Sequence, residues 1–343
     1  MYGVTATAQP APSAAASSTS RTPARIVVLA GGVGGAKYLL GVREYAKQTG
    51  AAVTAIVNTG DDATMHGLRI CPDLDSIMYT LGGGHDNERG WGQVGETWTV
   101  GNELKEYAAG PTWFSLGDKD IATHLVRTQM LDAGFRLTDV TDALCTRWQP
   151  GVRLLPMSDD RVETHVVCTV PDADQPSAIH FQEWWVRYRA SVPTTAFVQV
   201  GAEQAKPTSE VTDALAEADL ILIAPSNPVV SIGPILGVPG LRDALRAASA
   251  PVIGTAGLIG GAPLRGMADV CLKVIGVEQT ALAVADYYGA RSDDGILDGW
   301  LVAPGDGGSA GDILVEEAPL LMTDPQATAQ MIAAAVELAG RIR

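Results

Sequence analysis

Asp61, Asp62, Asp73 and Asp75 place four carboxylates within fifteen positions, shortly after a glycine-rich turn, Gly31-Gly32-Val33-Gly34-Gly35-Ala36-Lys37. A glycine turn that opens a helix presents backbone N–H groups to an anion. Carboxylate oxygens are hard ligands for Mg²⁺, an ion that joins one or two protein carboxylates to substrate phosphates. Together they point to metal-assisted chemistry on a phosphoryl group.

The glycine turn is neither of the two common nucleotide loops. Counted from Gly32, the dinucleotide spacing puts Lys37 where a third glycine belongs, and the following strand ends in Asn58 rather than an acidic residue. The Lys-Ser/Thr ending of a P-loop is missing too. What remains is a phosphate cradle built from Gly31, Gly32, Gly34 and Gly35, with Lys37 nearby. The plain alternative is a tight turn that needs glycine geometry. In Asn58-Thr59-Gly60-Asp61-Asp62, Asn58 can hydrogen-bond a nucleotide and either aspartate can bind metal; an ordinary Asx turn also explains the run. Asp73 and Asp75 follow Pro72 at a helix start, where carboxylates are also favoured for structural reasons.

Further along, helical spacing puts Asp120, Thr123, His124 and Arg127 on one face, suited to a polyhydroxylated ligand or to local ion pairs. Trp184, Trp185, Arg187 and Tyr188 fit an aromatic wall or alternating strand packing. Pro225-Ser226-Asn227-Pro228 through Ser231 follows an apolar strand, and Ser226, Asn227 and Ser231 are placed to bind phosphate or base. A serine triad has no support, since no G-x-S-x-G exists.

The bulk of the chain sets limits on partners. Its 343 residues suffice for one large α/β domain, and 46% are hydrophobic. The net charge of −15 and the lack of a Lys/Arg run exclude a general nucleic-acid binder. Cys71, Cys145, Cys168 and Cys271 are widely spaced, so neither a zinc site nor a disulfide framework is expected. No apolar run spans a membrane, and residues 1–24 read as a disordered extension rather than a secretory signal. The expected place is the cytoplasm. Trp91, Trp98, Trp113, Trp184 and Trp185 mark special surface between 90 and 190.

The elements that must position these residues alternate. Arg25 to Ala30 reads as a buried parallel strand, 36–48 as a helix and Ala51 to Val57 as the next strand. Further strands are expected at Leu220 to Ala224 and Pro251 to Gly254, with helices near 239–247 and 278–289. The fold class is therefore α/β, a Rossmann-like, doubly wound, mostly parallel sheet with its ligand edge at the strand C-termini. Residues 25–343 form one domain, with an inserted α+β subdomain at about 85–200 covering that edge. Within it 118–148 reads as helical, with Leu125 and Leu131 in the core. Glu163 to Val170 and Ala178 to Tyr188 read as strands. A last helix, 325–341, is capped by Thr323 or Asp324.

The runs AGGVGGAK, NTGDD, CPDLDSIMYTLGGG, GDKDIATHLVR, LLPMSDD, HFQEWWV and APSNPVVSIGPIL resemble, in order, the 2-phospho-L-lactate transferase family over about 25–341. RGWGQ, HLVRTQML, RWQP and LRGMAD are similar to the branch that uses phosphoenolpyruvate rather than phospholactate. The resemblance implies a Mg²⁺-dependent homodimer that moves a phospho-acid unit from a guanosine-diphosphate-linked donor to the ribityl hydroxyl of the deazaflavin Fo, with GMP leaving. It implies Asp61, Asp62, Asp73 and Asp75 as metal candidates, Asp62 and Asp75 foremost, both with a catalytic role. The glycine loop, Asn58, Ser226, Asn227 and Ser231 fall on the nucleotide side; Asp75, His124 and Arg127 fall on the acceptor side. Ser115 stands where family members often carry a basic residue that contacts the acceptor.

Two other functions compete. A non-catalytic nucleotide-sugar sensor would share the glycine opening, but the PDLD and GDKDIATH segments favour an enzyme. A nicotinamide or flavin oxidoreductase is disfavoured by the missing third glycine and by Asn58. Enolpyruvyl, lactyl and glyceryl donors differ by only a few atoms.

Overall fold

A computed structural model describes residues 22–342. The N-terminal extension expected over 1–24 lies almost wholly outside them. Seven parallel strands form the central sheet, in the spatial order Leu314–Glu317, Gly299–Val302, Val252–Thr255, Leu220–Ile223, Arg25–Ala30, Ala52–Val57, Arg153–Pro156. The inner strands are apolar on both faces because helices cover both; Leu220–Ile223 is buried at every position. Burying each such side chain contributes about 1.5–3 kcal/mol. The expected α/β class is thus what the chain adopts, and the order is doubly wound.

The chain builds outward from Arg25–Ala30 in one direction through its second and third sheet strands. It then returns to the other side of the same strand with Leu220–Ile223. Ligands bind where strand order reverses in this way. Leu29 lies beside both Ile56 and Ile223, so three strands end level and their loops meet at one edge.

Helices Gly32–Thr49, Pro72–Leu81, Leu137–Trp148 and Pro325–Ile342 pack together as one group, and Ser209–Glu217, Ile232–Gly237 and Leu241–Ala247 as another. The first helix starts at Gly32, four residues before the expected position. The last is capped by Asp324, whose Oδ1 accepts from the Ala327 N–H at 2.8 Å.

Two excursions leave the sheet, where one insertion at 85–200 was expected. Residues 58–152 form a short hairpin and helices that include Pro72–Leu81, Thr99–Glu106 and Asp118–Asp132. The chain then rejoins the sheet at Arg153–Pro156. It leaves again as a three-stranded antiparallel sheet, in the order Ser177–His180, Glu163–Cys168, Thr194–Val200.

Two local expectations fail for the same reason, tertiary packing overriding local pattern. Ala178 to Tyr188 is a strand only as far as His180; Glu183–Arg187 coils into a π-helical turn. That turn buries Trp184, whose indole N–H donates to Thr194 Oγ1 at 2.8 Å. Leu125 is not in the core but 44% exposed, and Leu131 is only half-buried. The helix instead turns its polar face inward, with Asp120, Thr123, His124 and Arg127 all buried. Among the described residues no helix is long and apolar enough to cross a membrane.

Gly41 lets the first and last helices approach closely. A Cβ there would sit 2.3 Å from Thr328 Cβ and 2.8 Å from the Thr328 carbonyl carbon. Gly41→Val is expected to cost about 1–3 kcal/mol by overpacking, read as a lower urea midpoint at unchanged slope. A wild-type midpoint would show that these helices separate freely.

Candidate active site

The two loops at the sheet's switch point are stitched by one serine. Ser226 Oγ accepts from the Gly31 N–H at 3.1 Å and donates to the Gly31 carbonyl at 2.7 Å. The glycines are required by close neighbours. A Cβ on Gly31 would lie 2.6 Å from Asp73 Oδ2 and 2.8 Å from Ser231 Cβ; one on Gly35 would lie 2.9 Å from Ser226 Oγ. Asn227 shapes its own loop, since its Oδ1 accepts from the N–H groups of Val229 and Val230 at 2.9 and 3.2 Å. Among the described residues its amide nitrogen contacts the sulfurs of Cys271 and Met267.

Asn58 anchors the acidic centre. Its amide nitrogen donates to Asp73 Oδ2 at 2.8 Å and to the Val230 carbonyl at 3.3 Å, while its Oδ1 accepts from the Gly60 N–H at 2.8 Å. Burial drives the Asp73 carboxyl up to about 6, against the pull of Asn58 and the Gly32 N–H. Asp61 is raised well above the ordinary carboxylate range by burial and then by the Asp73 charge. Its Oδ1 is buried with no hydrogen-bond partner among the described residues. A divalent cation fits this arrangement: it would take the orphaned oxygen and remove the repulsion between the two carboxylates.

Asp62 points elsewhere. It is fully buried and ion-paired to Arg69 at 3.1 Å, and burial raises it to about 7 in spite of that arginine. Asp75 is the acceptor in a two-pronged pair with Arg127, whose Nη1 is 3.1 Å from Oδ2 and whose Nη2 bonds Oδ1. Arg127 Nη1 also lies 3.0 Å from His124 Nδ1. Tyr79 donates its hydroxyl to Asp120 Oδ1 at 2.7 Å. Ligand atoms of Asp75, Asp120 and His124 lie within 4.8 Å of one another, a spacing that suits a metal. However, Arg127 already neutralises Asp75, so a cation there would have to displace a buried guanidinium.

These groups border one cavity of about 980 Å³. One side is built from the glycine turn, the 225–231 loop and the segments after Val252–Thr255 and Gly299–Val302. The other is built from 58–152 and the π-helical turn, with Tyr79, Trp91, Trp113, Phe114, Phe181 and Trp185. Asp61 and Asp73 are both in the lining, and Asp73, though part of 58–152, lies against Gly31 of the opposite side. Gly31, Gly32, Gly34, Lys37, Asp75, His124, Ser226, Asn227 and Ser231 also line it; Gly35, Asn58, Asp62 and Arg127 stand behind the wall. Ser115 is in the lining, with no positive charge to offer.

Lys37 and Arg265 both face the cavity and neither has an ion pair among the described residues. Partial burial and then Arg265 lower the Lys37 pKa. Two neighbouring unpaired cations beside backbone amides make a site for phosphate or carboxylate. Sequence reading missed Tyr79 and Arg265. Tyr79 had a usable signal, lying four residues after Asp75 on the same helix face. Arg265 had none, since it sits in an irregular loop.

The model of the family described as "2-phospho-L-lactate transferase CofD" matches residues 26–330. A phosphoenolpyruvate transferase of Mycobacterium avium (strain 104) is 60% identical over 333 residues, covering 92% of this chain and 99% of that protein. One from Nocardia farcinica is 62% identical over 320 residues, covering 93% and 96%. In three dimensions the chain is similar to a UPF0052 family protein of Bacillus halodurans, with a TM-score of 0.55 at 17% identity over 91% of this chain and 99% of that one. That likeness bears on the fold. The near full-length sequence matches bear on descent, and they agree with a cavity that joins an anion cradle to an aromatic wall: this chain belongs to the 2-phospho-L-lactate transferase CofD family.

Proposed function

We propose that this protein transfers the phosphoenolpyruvyl moiety from enolpyruvyl-diphospho-5'-guanosine to the ribityl hydroxyl of Fo, giving dehydro coenzyme F420-0 and GMP. The observation that carries this reading is that Asp73, from the 58–152 segment, sits against Gly31 of the glycine turn and, with Asp61, lines the cavity that both segments share. The anion-binding half suits a diphosphate donor, and the aromatic half suits a flat ring bearing a polyol. Relatives of about 60% identity named phosphoenolpyruvate transferase favour the enolpyruvyl donor over the lactyl one. The reading includes a cytoplasmic homodimer.

In this reading the Gly31–Gly34 amides and Ser231 receive the donor's phosphates, and Lys37 and Arg265 balance their charge. Trp91, Trp113 and Trp185 stack on the acceptor ring, a contact worth about 0.5–1.5 kcal/mol beyond area burial for each aromatic pair. Asp61 and Asp73 hold Mg²⁺, with Asn58 fixing Asp73. The ion supplies neutralisation of charge that develops on the transferring phosphoryl oxygens. Gly31 and Ser226 keep the two loops in register, so that reacting groups meet in line. The donor's leaving group is GMP.

A turnover assay by mass spectrometry with Fo and each guanylylated donor tests the reading directly. It is expected to give the dehydro product and GMP from the enolpyruvyl donor, and none with EDTA. A saturated product alone would change the donor; no product from any donor would end the transferase reading.

Asp73→Asn is expected to stay as stable as wild type at pH 7.5, because it removes a charge that burial disfavours. It should lose the Mg²⁺-induced rise in melting temperature and at least about 10²-fold in turnover. Asp75→Asn should behave differently. It leaves Arg127 buried and uncompensated, at a cost of about 3–5 kcal/mol, measured by denaturant titration.

Mg²⁺ binding should also depend on pH. Metal competes with the proton on Asp73, whose folded-state pKa is about 6, and on Asp61, which is raised as well. Calorimetric affinity is therefore expected to rise from pH 5 to pH 7.5, with protons released in the lower range. A pH-independent affinity would place the metal elsewhere.

A further inference from the structure

Attack by a hydroxyl on phosphorus needs a proton acceptor, and the cavity offers few. Asp61 and Asp73 sit at the glycine turn, where donor and metal are held in the reading above, on which this inference rests. Asp75 has both oxygens engaged by Arg127. Its protonation would strand a buried guanidinium. His124 is ruled out by its neighbour. Arg127 can only donate, so its 3.0 Å contact makes His124 Nδ1 an acceptor and puts the ring proton on Nε2. That Nε2 is buried without a hydrogen bond.

Asp120 is left. Only 8% of it is exposed, yet it lines the cavity. Its backbone N–H is held by Glu96 at 3.1 Å, and its Oδ1 by the Tyr79 hydroxyl at 2.7 Å, with His124 Nε2 3.5 Å away. Its Oδ2 takes no hydrogen bond from any described residue. Arg127 and Asp75 cancel each other's charge, so Asp120 is the net negative charge of this buried cluster. The Asp120 side chain is 12% exposed and lines the cavity, so a ligand there can donate to it, and a polyol chain is a row of O–H donors.

We propose that Asp120 is the catalytic base of the transfer, taking the proton of the attacking acceptor hydroxyl on Oδ2, with Tyr79 as the positioning residue that holds its carboxylate. The O–H bond breaks toward Asp120 as the oxygen forms its bond to the phosphorus that carries the enolpyruvyl group. The bond from that phosphorus to the bridging oxygen breaks, and its electron pair leaves with GMP. Asp120 then releases the proton to solvent as the product departs.

The test compares wild type with Asp120→Asn in single-turnover assays, alongside calorimetric titration of Fo and of the guanylylated donor. Asp120→Asn is expected to bind both ligands within about threefold of wild type and to lose about 10²–10⁴-fold in rate. Added formate is expected to restore part of the rate to Asp120→Gly. A rate within about threefold of wild type, or a loss explained by weaker Fo binding, overturns the proposal. If Asp120→Asn does not fold, Asp120→Glu is the substitute. Moving the oxygen by roughly 1 Å should cost about 10²-fold with Fo still bound, and an undiminished rate overturns the assignment. Failure of wild type itself with every donor would instead overturn the transferase reading beneath it.

Discussion

The two-pronged ion pair between Asp75 and Arg127 organises one whole side of the molecule's cavity. Both side chains are almost fully buried, so each is tolerable only in the presence of the other. The pair ties the first turn of Pro72–Leu81 to the middle of Asp118–Asp132. It thereby sets the distance between Tyr79 on one helix and Asp120 and His124 on the other. Two residues before Asp75, Asp73 belongs to a different structure, held by Asn58 at the end of a central strand. One helical turn thus carries a carboxylate into each half of the cavity. The geometry of the halves relative to each other follows from that single turn.

The charge distribution has a matching logic. The chain carries 39 acidic against 24 basic residues, so nothing in its overall field draws an anionic ligand. Binding such a ligand depends on local arrangement. Among the described residues Lys37 and Arg265 have no carboxylate partner, and both line the cavity that the glycine turn borders. Asp61 and Asp73 are buried together, with pKa values raised by burial and, for Asp61, by mutual repulsion. A folded protein holds such an arrangement at a cost in stability. It persists because the rest of the core is large and because the strain is local to a few groups. In the proposed reading, a diphosphate with its metal would answer both needs at once, bringing anions to the two cations and a cation to the crowded carboxylates.

Rigidity is unevenly placed around the cavity. The half with the glycine turn rests on strand ends and on the Ser226–Gly31 stitch, which the parallel sheet holds level. The half with Trp91, Trp113 and Trp185 rests on helices of the first excursion and on the turn that buries Trp184 and leaves Trp185 at the cavity wall. Arg89 lies over both Trp91 and Trp98, at 5.1 and 4.9 Å from the ring centroids, so this part of the wall is fixed by cation–π contact rather than by a deep core.

Much of this was legible in the chain. Apolar runs that stop at glycine or at Pro-Ser-Asn announce parallel strands with ligand loops, because period and punctuation are local properties. Hence the α/β class, the strand at Arg25, the strand at Leu220 and the loops after them follow from residue order alone. The grouping of Asp120, Thr123, His124 and Arg127 on one helical face was legible too, since 3.6-residue periodicity is equally local. The direction of that face was not. Apolar Leu125 suggested the opposite face was inside, but a buried guanidinium with its own carboxylate partner can occupy a core as Leu does. Which of four neighbouring aspartates shares a site was beyond the sequence for the same reason. Asp61 and Asp62 are adjacent in the chain and diverge in space, one toward Asp73 and the other toward Arg69. Sequence by itself determined the elements, their punctuation and the residue types gathered at one sheet edge. Only tertiary structure decided which carboxylates pair with arginine and which remain free for a ligand, because that choice depends on contacts between segments far apart in the chain.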